Sequence, residues 1–305
     1  SRGLGDVYKR QTQLLPTIDS FLPETFRHEY DVTYIEPFVG GGAMLFFMLQ
    51  KYPNIKRAIV NDINPHLIKT YTVIRDEPFS LIGTLNELQN TFKSFVEYDQ
   101  QKDFYLNIRN RFNQSQLTDV EEAAYMIFLN RTCFNGLYRE NSKGGFNVPF
   151  GRYANPTICD EELILADSEL LQKVELLNGD FSHTAEHVQG YTFFYFDPPY
   201  RPLDATSSFN SYVKESFDDN EQIRLKDFYS NLSAGGCFAM LSNSDCKGRN
   251  VEDDFFDKLY EDFFIERVYA KRCINANATK RGTLTELLIR NYENYQGEPT
   301  NLFNS

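Results

Sequence analysis

The residues with the clearest chemical potential are Asp197, Pro198, Pro199 and Tyr200, which directly follow the apolar run from Thr192 to Phe196. A buried strand that ends in an acid, two prolines and an aromatic forms a rigid platform at the carboxyl edge of a sheet, where open α/β folds place their chemistry. The carboxylate and a proline-fixed carbonyl can accept hydrogen bonds from an exocyclic amino group, and the tyrosine ring can stack on a base. The tetrapeptide therefore favours methyl transfer to an amino group, with a simple stop signal after a strand as the alternative.

A second candidate is the glycine-rich segment from Glu36 to Met44, which lies between a strand-like and a helix-like run. This order suits a cofactor that carries a nucleotide, because only glycine lets the backbone approach closely at the required angles. Asp62 ends a second strand-like run, where an acid can bind ribose hydroxyls, although alone it could equally be a capping or turn acid. The cofactor-binding residues expected here are Glu36, Pro37, Phe38, Gly40, Gly42 and Asp62.

The glycine spacing distinguishes between cofactors. A dinucleotide oxidoreductase needs a third glycine three residues after Gly42, where this chain has Leu45, and no hydride-transfer constellation is visible. The form Pro-Phe-x-Gly-x-Gly, which begins at Pro37, instead resembles motif I of S-adenosylmethionine-dependent methyltransferases. Together with the Asp-Pro-Pro-Tyr at 197–200, it makes the chain similar to adenine-specific DNA methyltransferases.

A third segment narrows the resemblance. Asn-Gly-Leu-x-Arg begins at Asn135, and Gly-x-Phe-Asn-Val-Pro-x-Gly-Arg-Tyr follows from Gly144 to Tyr153. By composition alone this could be an exposed β-hairpin. Both patterns resemble the target recognition domain of the Dam and DpnII-type family (D12 class, group alpha), and the likeness extends from about Thr12 to Tyr292 with the motifs in the family's order.

This resemblance implies methylation of adenine in GATC sites of double-stranded DNA, with S-adenosylmethionine as cofactor. Arg139 is expected to read guanine, because arginine can contact guanine O6 and N7 together. Leu137 and Pro149 could meet a thymine methyl and Phe134 could wedge into the stack, whereas packing within the hairpin is the alternative for all three. Asn135 and Gly136 are expected to shape a turn. The remaining DNA-contact candidates are Arg131, Asn135, Lys143, Arg152, Lys271, Arg272, Asn275, Lys280 and Arg281.

The family also implies a mechanism. The target adenine must leave the helix, and Asp197 with the Pro198 carbonyl would orient its amino group while Tyr200 stacks on the ring. Asp180 matches the family acid that holds the cofactor's adenine amino group, and Phe181 would flank that ring; a capping role is the alternative for Asp180. Because the methyl donor is already activated by its positive sulfur, we expect no metal and no covalent enzyme intermediate.

Composition fits such a protein with one surprise, a net charge of −12 over 305 residues. DNA-binding proteins are usually basic, but residues 128–153 hold four Lys or Arg against one acid, and residues 269–282 hold four against none. The five cysteines show neither a disulfide nor a zinc pattern, and no membrane-spanning or secretory segment is visible. We therefore expect a soluble, cytoplasmic monomer that binds DNA and no membrane.

The order of elements predicts the fold class: an α/β, Rossmann-like, doubly wound methyltransferase sheet with a terminal antiparallel hairpin. Strands are predicted at 33–36, 58–62, 174–177, 192–196, 236–241, 263–270 and 286–292. More than a hundred residues separate the second strand from the third, and the helical spacing of Leu81, Leu85 and Leu88 predicts a mainly helical insert there. The predicted units are a discontinuous catalytic domain (12–76 and 172–295) and a target recognition domain with a DNA-reading hairpin (77–171).

Three features leave alternatives open. The family normally carries Lys-Trp-x-Gly-Gly-Lys before the segment that begins at Thr12, whereas this chain has no Trp, so residues 1–11 are expected to be a non-native start that weakens cofactor binding. The polar stretch from Arg201 to Phe217 is expected to be a substrate-ordered loop. Rival functions are a cytosine-N4 methyltransferase, a protein glutamine methyltransferase and a catalytically impaired DNA-binding module.

Overall fold

The structure is a computed structural model that describes residues 14–114, 116–153, 155–201, 217–248, 250–270 and 284–293. The strands are β1 (Val32–Glu36), β2 (Ile55–Asp62), β3 (Val174–Asn178), β4 (Tyr191–Phe196), β5 (Phe238–Ser244), β6 (Phe264–Ala270) and β7 (Leu284–Arg290). The helices are α1 (14–20), α2 (Glu24–His28), α3 (Ala43–Lys51), α4 (Pro65–Asp76), α5 (Pro78–Ser94), α6 (Tyr98–Gln114), α7 (Asp119–Thr132), α8 (Glu161–Leu171), α9 (Asp219–Ala234) and α10 (Phe255–Leu259).

The described strands form one seven-stranded sheet in the order β3-β2-β1-β4-β5-β7-β6. From β3 to β5 all neighbours are parallel, and β7 runs antiparallel to both β5 and β6. The strand order reverses between β1 and β4, which makes this boundary the topological switch point of the sheet. The predicted doubly wound sheet and its terminal antiparallel hairpin are confirmed, and the predicted strand ends lie within three residues of the observed ones.

The central strands are apolar because both faces of the sheet are covered. Every residue of β1 is buried, and alternate side chains join different cores. Tyr34 packs on the face that holds α3 and α4. Ile35 and Phe194 pack on the other face, against α9 and α10. The sheet therefore presents only its edges and strand ends to other groups.

The long connection between β2 and β3 contains α4 to α8, as the helical spacing of its leucines predicted. Pro78 begins α5, and a capping box between Thr118 and Glu121 begins α7. Leu81, Leu85 and Phe128 are fully buried, and they belong to the same core cluster as the side chains on one face of the sheet. The helices α5 and α7 thus pack directly on α4 and share a core with the sheet.

The segment predicted to be a DNA-reading hairpin has an irregular backbone. The segment from Cys133 to Phe150 doubles back, but it is closed by two isolated antiparallel bridges, Cys133 with Phe150 and Glu140 with Phe146, instead of a continuous ladder. The reason is local, because side chains take backbone bonds that a ladder would use. Asn113 Oδ1 accepts from the Phe146 N–H at 2.9 Å.

Several predictions lie outside the described residues. They are the non-native start at 1–11, most of the loop at 201–217, and the candidates Lys271, Arg272, Asn275, Lys280 and Arg281.

Candidate active site

The two motifs that the sequence singled out leave the sheet side by side. β1 and β4 are parallel neighbours, and Ile35 lies opposite Phe194. The turn that begins at Pro37 and the tetrapeptide that begins at Asp197 therefore emerge at the same edge, on the two sides of the switch point. Open α/β folds bind their ligands in this crevice.

The turn after β1 depends on its glycines. Gly40 and Gly42 have φ values of +48° and +72°, a region that side chains rarely adopt. A Cβ at Gly42 would lie 2.6 Å from the hydroxyl oxygen of Tyr71. That hydroxyl donates to the Gly40 carbonyl at 2.8 Å, so α4 holds the turn in place. A Cβ at Gly40, in contrast, would meet no atom within 4 Å, which leaves open space beside the turn.

Asp62 is bound to this turn. Its carboxylate accepts from the Gly40 N–H at 3.1 Å and from the Asn64 N–H at 2.9 Å. Burial raises the pKa of Asp62 above its ordinary value, although these backbone bonds oppose the change. The helix cap before Pro65 is Asn64, whose side chain accepts from the first N–H groups of α4. Asp62 is therefore part of the glycine turn and is not the cap of α4.

Asn61, which sequence reasoning missed, connects the ends of three strands. Its buried amide donates to the Pro37 carbonyl and to the Gly179 carbonyl, both at 3.0 Å. The turns after β1 and β3 are thereby fixed to the end of β2.

Asp180 follows β3 and is the cap of the short 3₁₀ helix Phe181–His187, where it accepts from the Ser182 N–H at 3.0 Å. Arg224 on α9, another residue that sequence reasoning missed, binds both Asp180 oxygens at 3.0 and 2.7 Å. This guanidinium holds the pKa of Asp180 well below its usual range. Arg224 also lies 4.0 Å above the buried ring of Phe181.

Polar side chains of other strands in the sheet hold the tetrapeptide after β4 in place. Ser242 on β5 donates to Asp197 Oδ1 at 2.9 Å, and the Tyr195 hydroxyl lies 3.1 Å from the same serine oxygen. The Tyr200 hydroxyl donates to Glu286 Oε2 on β7 at 3.1 Å. Neither Ser242 nor Glu286 was a candidate from sequence. Both side chains of the platform that were expected to meet the substrate are thus anchored.

Acidic groups converge where β1 and β4 end. Glu36 is buried and accepts from the Tyr34 hydroxyl at 2.9 Å. Burial raises the pKa of Glu36 well above its ordinary value, and the charge of Asp197 raises it further. The edge of the sheet at the switch point therefore brings carboxyl groups together, which can form hydrogen bonds with a ligand.

The DNA-contact candidates that the structure describes lie on the last turn of α7 and on the segment that follows it. Asn135 and Gly136 have φ values of +56° and +58°, which confirms that they shape a turn. The Phe134 N–H donates to the Pro149 carbonyl at 2.9 Å, so these two residues are adjacent. Leu137 is half-buried, whereas the other described candidates are exposed: Arg131, Phe134, Asn135, Arg139, Lys143, Pro149 and Arg152.

Arg139 is oriented by a neighbour that the sequence did not single out. Its Nε donates to Asn147 Oδ1 at 2.6 Å, and one terminal nitrogen donates to the Asn147 carbonyl at 3.2 Å. The guanidinium is exposed, and its remaining donors are available to a ligand. The next residue inward, Tyr138, donates to Glu140 at 2.5 Å and contacts Asn64 beside the glycine turn. The segment after α7 is thus connected to the glycine turn.

In the described part of the chain, no group of three or more His, Cys, Asp or Glu side chains could hold a metal ion. His187, at helical spacing from His183, instead pairs with Glu175 at 3.2 Å, and His66 pairs with Glu122 at 2.6 Å. No helix among the described residues is long and apolar enough to cross a membrane.

Comparison with known proteins identifies the class. The family model for D12 class N6 adenine-specific DNA methyltransferases matches residues 11–274. The chain belongs to this family. The methyltransferase is 48% identical over 285 residues to the Type II methyltransferase M.MjaIII of Methanocaldococcus jannaschii, which covers 92% of this chain and 96% of that protein. It is 39% identical over 287 residues to the Type II methyltransferase M1.LlaDCHI of Lactococcus lactis, with 92% of each chain covered.

The methyltransferase is also 33% identical over 255 residues to a DNA adenine methylase of Vibrio cholerae, with 83% of this chain and 85% of that protein covered. The resemblance drawn from the three sequence motifs is therefore confirmed. As a member of this family, the methyltransferase acts on adenine in DNA.

Proposed function

We propose that the protein is a site-specific DNA adenine-N6 methyltransferase that transfers the methyl group of S-adenosylmethionine to a flipped-out adenine in duplex DNA, within GATC. One observation carries this proposal. The glycine turn after β1 and the Asp-Pro-Pro-Tyr tetrapeptide after β4 leave adjacent parallel strands at the switch point of the sheet. A cofactor in the turn and a base on the tetrapeptide would therefore share one crevice.

The residues present fit this cofactor. The turn leaves open space beside Gly40, and carboxylates suitable for hydroxyl and amino groups lie at the end of β2 (Asp62) and just after β3 (Asp180). The residues that would hold the cofactor are Glu36, Pro37, Phe38, Gly40, Gly42, Asp62, Asp180, Phe181 and Asp197. S-adenosylmethionine supplies a methyl group activated by a positive sulfur, so the protein's task is to hold and orient the two reactants.

The tetrapeptide would hold the target base. Asp197 and the Pro198 carbonyl offer acceptors for the two protons of the adenine amino group, and the half-buried Tyr200 offers its ring for stacking. Its hydroxyl is tied to Glu286, which restricts the ring to one orientation. The adenine amino nitrogen cannot reach a sulfonium methyl inside the helical stack, so the base must be extruded before it meets this platform.

Sequence reading would belong to the segment from Arg131 to Arg152. Arg139 is held by Asn147 with its other donors exposed, as a bidentate contact to guanine requires. Leu137 and Pro149 would meet a thymine methyl, and Phe134, of which 51% is exposed, would fill the gap left by the extruded base. Arg131, Lys143 and Arg152 would contact phosphates, as would Lys271, Arg272, Asn275, Lys280 and Arg281.

The two functions would be divided between two parts of the chain. Residues 12–76 and 172–295 would form the catalytic domain, and residues 77–171 would form the target recognition domain. The contact of Tyr138 with Asn64 supports a close connection between the two parts.

The direct test is transfer of tritiated methyl groups from S-adenosylmethionine to two duplexes that differ only in a GATC or a scrambled site. We expect label on the GATC duplex alone, and a fall in kcat of about a hundredfold or more for Asp197→Ala, because a preoriented acceptor is lost. Asp99→Ala, at an exposed position on α6, is the matched control and should keep the wild-type rate. Equal labelling of the two duplexes, or an active Asp197→Ala, would contradict the proposal.

A further inference from the structure

Two buried amides lie behind the tetrapeptide. Gln222 on α9 and Asn243 on β5 are both fully buried. Gln222 Nε2 donates to the Pro199 carbonyl at 3.1 Å, and Asn243 Nδ2 donates to Gln222 Oε1 at 3.2 Å. Asn243 Oδ1 accepts from the N–H groups of Arg201 at 3.3 Å and Ser244 at 2.8 Å. The two amides thus form a chain of hydrogen bonds that begins and ends on the backbone around Tyr200.

The direction of this chain is fixed by its ends. A backbone carbonyl can only accept, so Gln222 must present its NH2 to Pro199, and its oxygen must then accept from Asn243. A backbone N–H can only donate, so the oxygen of Asn243 must face Arg201 and Ser244. Both ends require the same orientation of the amides. An acid at either position would break this polarity.

The anchored backbone is the part of the site with few other attachments. Pro198 and Pro199 have no N–H, so the backbone of these two residues can be fixed only through carbonyls. Gln222 holds the carbonyl before Tyr200, and Asn243 holds the N–H after it. Rotation of either peptide plane would move the Pro198 carbonyl or the Tyr200 ring.

The exit of the tetrapeptide is fixed to the same two elements. The Arg201 carbonyl accepts from the Ser244 hydroxyl at 2.8 Å. The Arg201 guanidinium binds Asp219, at the start of α9, and Asp253, each at 2.7 Å at its shortest. The first turn of α9, which carries Gln222, is therefore held against the tetrapeptide by an independent contact.

We infer that Gln222 and Asn243 are a pair of positioning residues for methyl transfer, which fix the backbone around Tyr200 so that the base and its amino group are presented in one orientation. This inference rests on the proposed function. Both amides are fully buried, so they would act on the substrate through the backbone that they hold. A small displacement of a reacting group can lower a rate by about a hundredfold, so the pair should affect turnover far more than binding.

The test is Gln222→Glu. This substitution keeps the size of the side chain but places a carboxylate oxygen, which can only accept, against the Pro199 carbonyl. We expect kcat at pH 8 to fall about ten- to a hundredfold, with the KM for S-adenosylmethionine unchanged within about twofold. As the pH is lowered to about 6, kcat relative to wild type should recover, because a protonated carboxyl can donate as the amide did. Asn220→Asp, the same chemical change at an exposed position of α9, should behave as wild type.

A structural role alone would lower the thermal midpoint of Gln222→Glu and leave kcat per folded molecule equal to wild type at every pH, which would overturn the inference. A second measurement does not depend on turnover. Hydrogen exchange at the Arg201 N–H should be at least about tenfold faster in Asn243→Ala than in wild type, because its acceptor is removed. An unchanged exchange rate would refute the inference that Asn243 holds the backbone after Tyr200. A wild-type protein that transfers no methyl group would refute the proposed function. The exchange measurement would still test whether the two amides fix the backbone around Tyr200.

Discussion

Ser242 connects two buried groups at the end of the sheet, and Ser242→Ala tests what that connection does. The hydroxyl donates to Asp197 at 2.9 Å and lies 3.1 Å from the Tyr195 hydroxyl, which must donate to it. Ser242 is 1% exposed and Tyr195 is 2% exposed, so water cannot replace the lost partner. A buried group left unsatisfied costs about 1–3 kcal/mol, and a hydrogen bond to a charged group contributes about 1.5–3 kcal/mol.

The two effects together should lower the free energy of unfolding by about 2.5–6 kcal/mol. If Asp197 orients the amino group, loss of the bond to this carboxylate should also lower kcat about ten- to a hundredfold, since each 1.4 kcal/mol corresponds to about a factor of ten. Urea unfolding would measure the first effect. Single-turnover methyl transfer to a GATC duplex would measure the second.

The double variant Tyr195→Phe/Ser242→Ala separates stability from catalysis. Removal of both hydroxyls leaves no unsatisfied tyrosine, so the about 1–3 kcal/mol attributed to that buried group should return. The rate should stay low, because the hydrogen bond from Ser242 to Asp197 is still absent. Recovery of the wild-type kcat in the double variant would refute the argument, and so would a stable, fully active Ser242→Ala.

Three further predictions concern other parts of the molecule. Gly42→Ala should destabilise the protein by about 1–2 kcal/mol or more and weaken S-adenosylmethionine binding in calorimetry, because φ there is +72°; Gly83→Ala, within α5 and with open space around its Cβ, should stabilise by about 0.5–1 kcal/mol. Arg139→Lys should reduce discrimination against a changed guanine by about 1–3 kcal/mol in competition assays while the salt dependence of binding stays the same; a large change in the salt slope would show a phosphate contact instead. Burial raises the pKa of Asp167 in the folded protein to about 7, whereas its pKa in the unfolded chain is near 4. The contribution of this group to stability is therefore complete below about pH 4 and is lost as the pH rises through about 7. Asp167→Asn should therefore raise the unfolding free energy at pH 8 by up to about 4 kcal/mol and not at pH 4, and an equal effect at both pH values would contradict that cause.

The sheet could be predicted because its strands are short apolar runs bounded by turn residues. The apolar run that ends at Phe196 and the apolar residues around Ile35 are typical of buried strands in an α/β protein. The insert could be predicted because Leu81, Leu85 and Leu88 follow helical spacing and because its length exceeds any simple crossover. The loop after α7 was the exception, since its backbone bonds go to side chains such as that of Asn113.

The residues that hold the site could not be predicted individually. Gln222, Asn61 and Arg224 each act through a partner far away in sequence, and nothing in their local pattern distinguishes them from surface residues. Ser242 and Asn243 were detectable in principle, because two polar residues at the end of an apolar strand need a reason to be buried. That signal indicates polar partners without naming them. The tetrapeptide could be recognised from the sequence, but the side chains that hold it in place could not.

The most direct test of the central claim is the chemical identity and position of the methylated base. A plasmid that contains GATC and unrelated adenine sites would be treated with the protein and S-adenosylmethionine, digested to nucleosides for mass spectrometry, and sequenced for modified positions. The account predicts N6-methyladenine at the adenine of GATC and at no other sequence. N4-methylcytosine, or N6-methyladenine spread over sites without GATC, would contradict it.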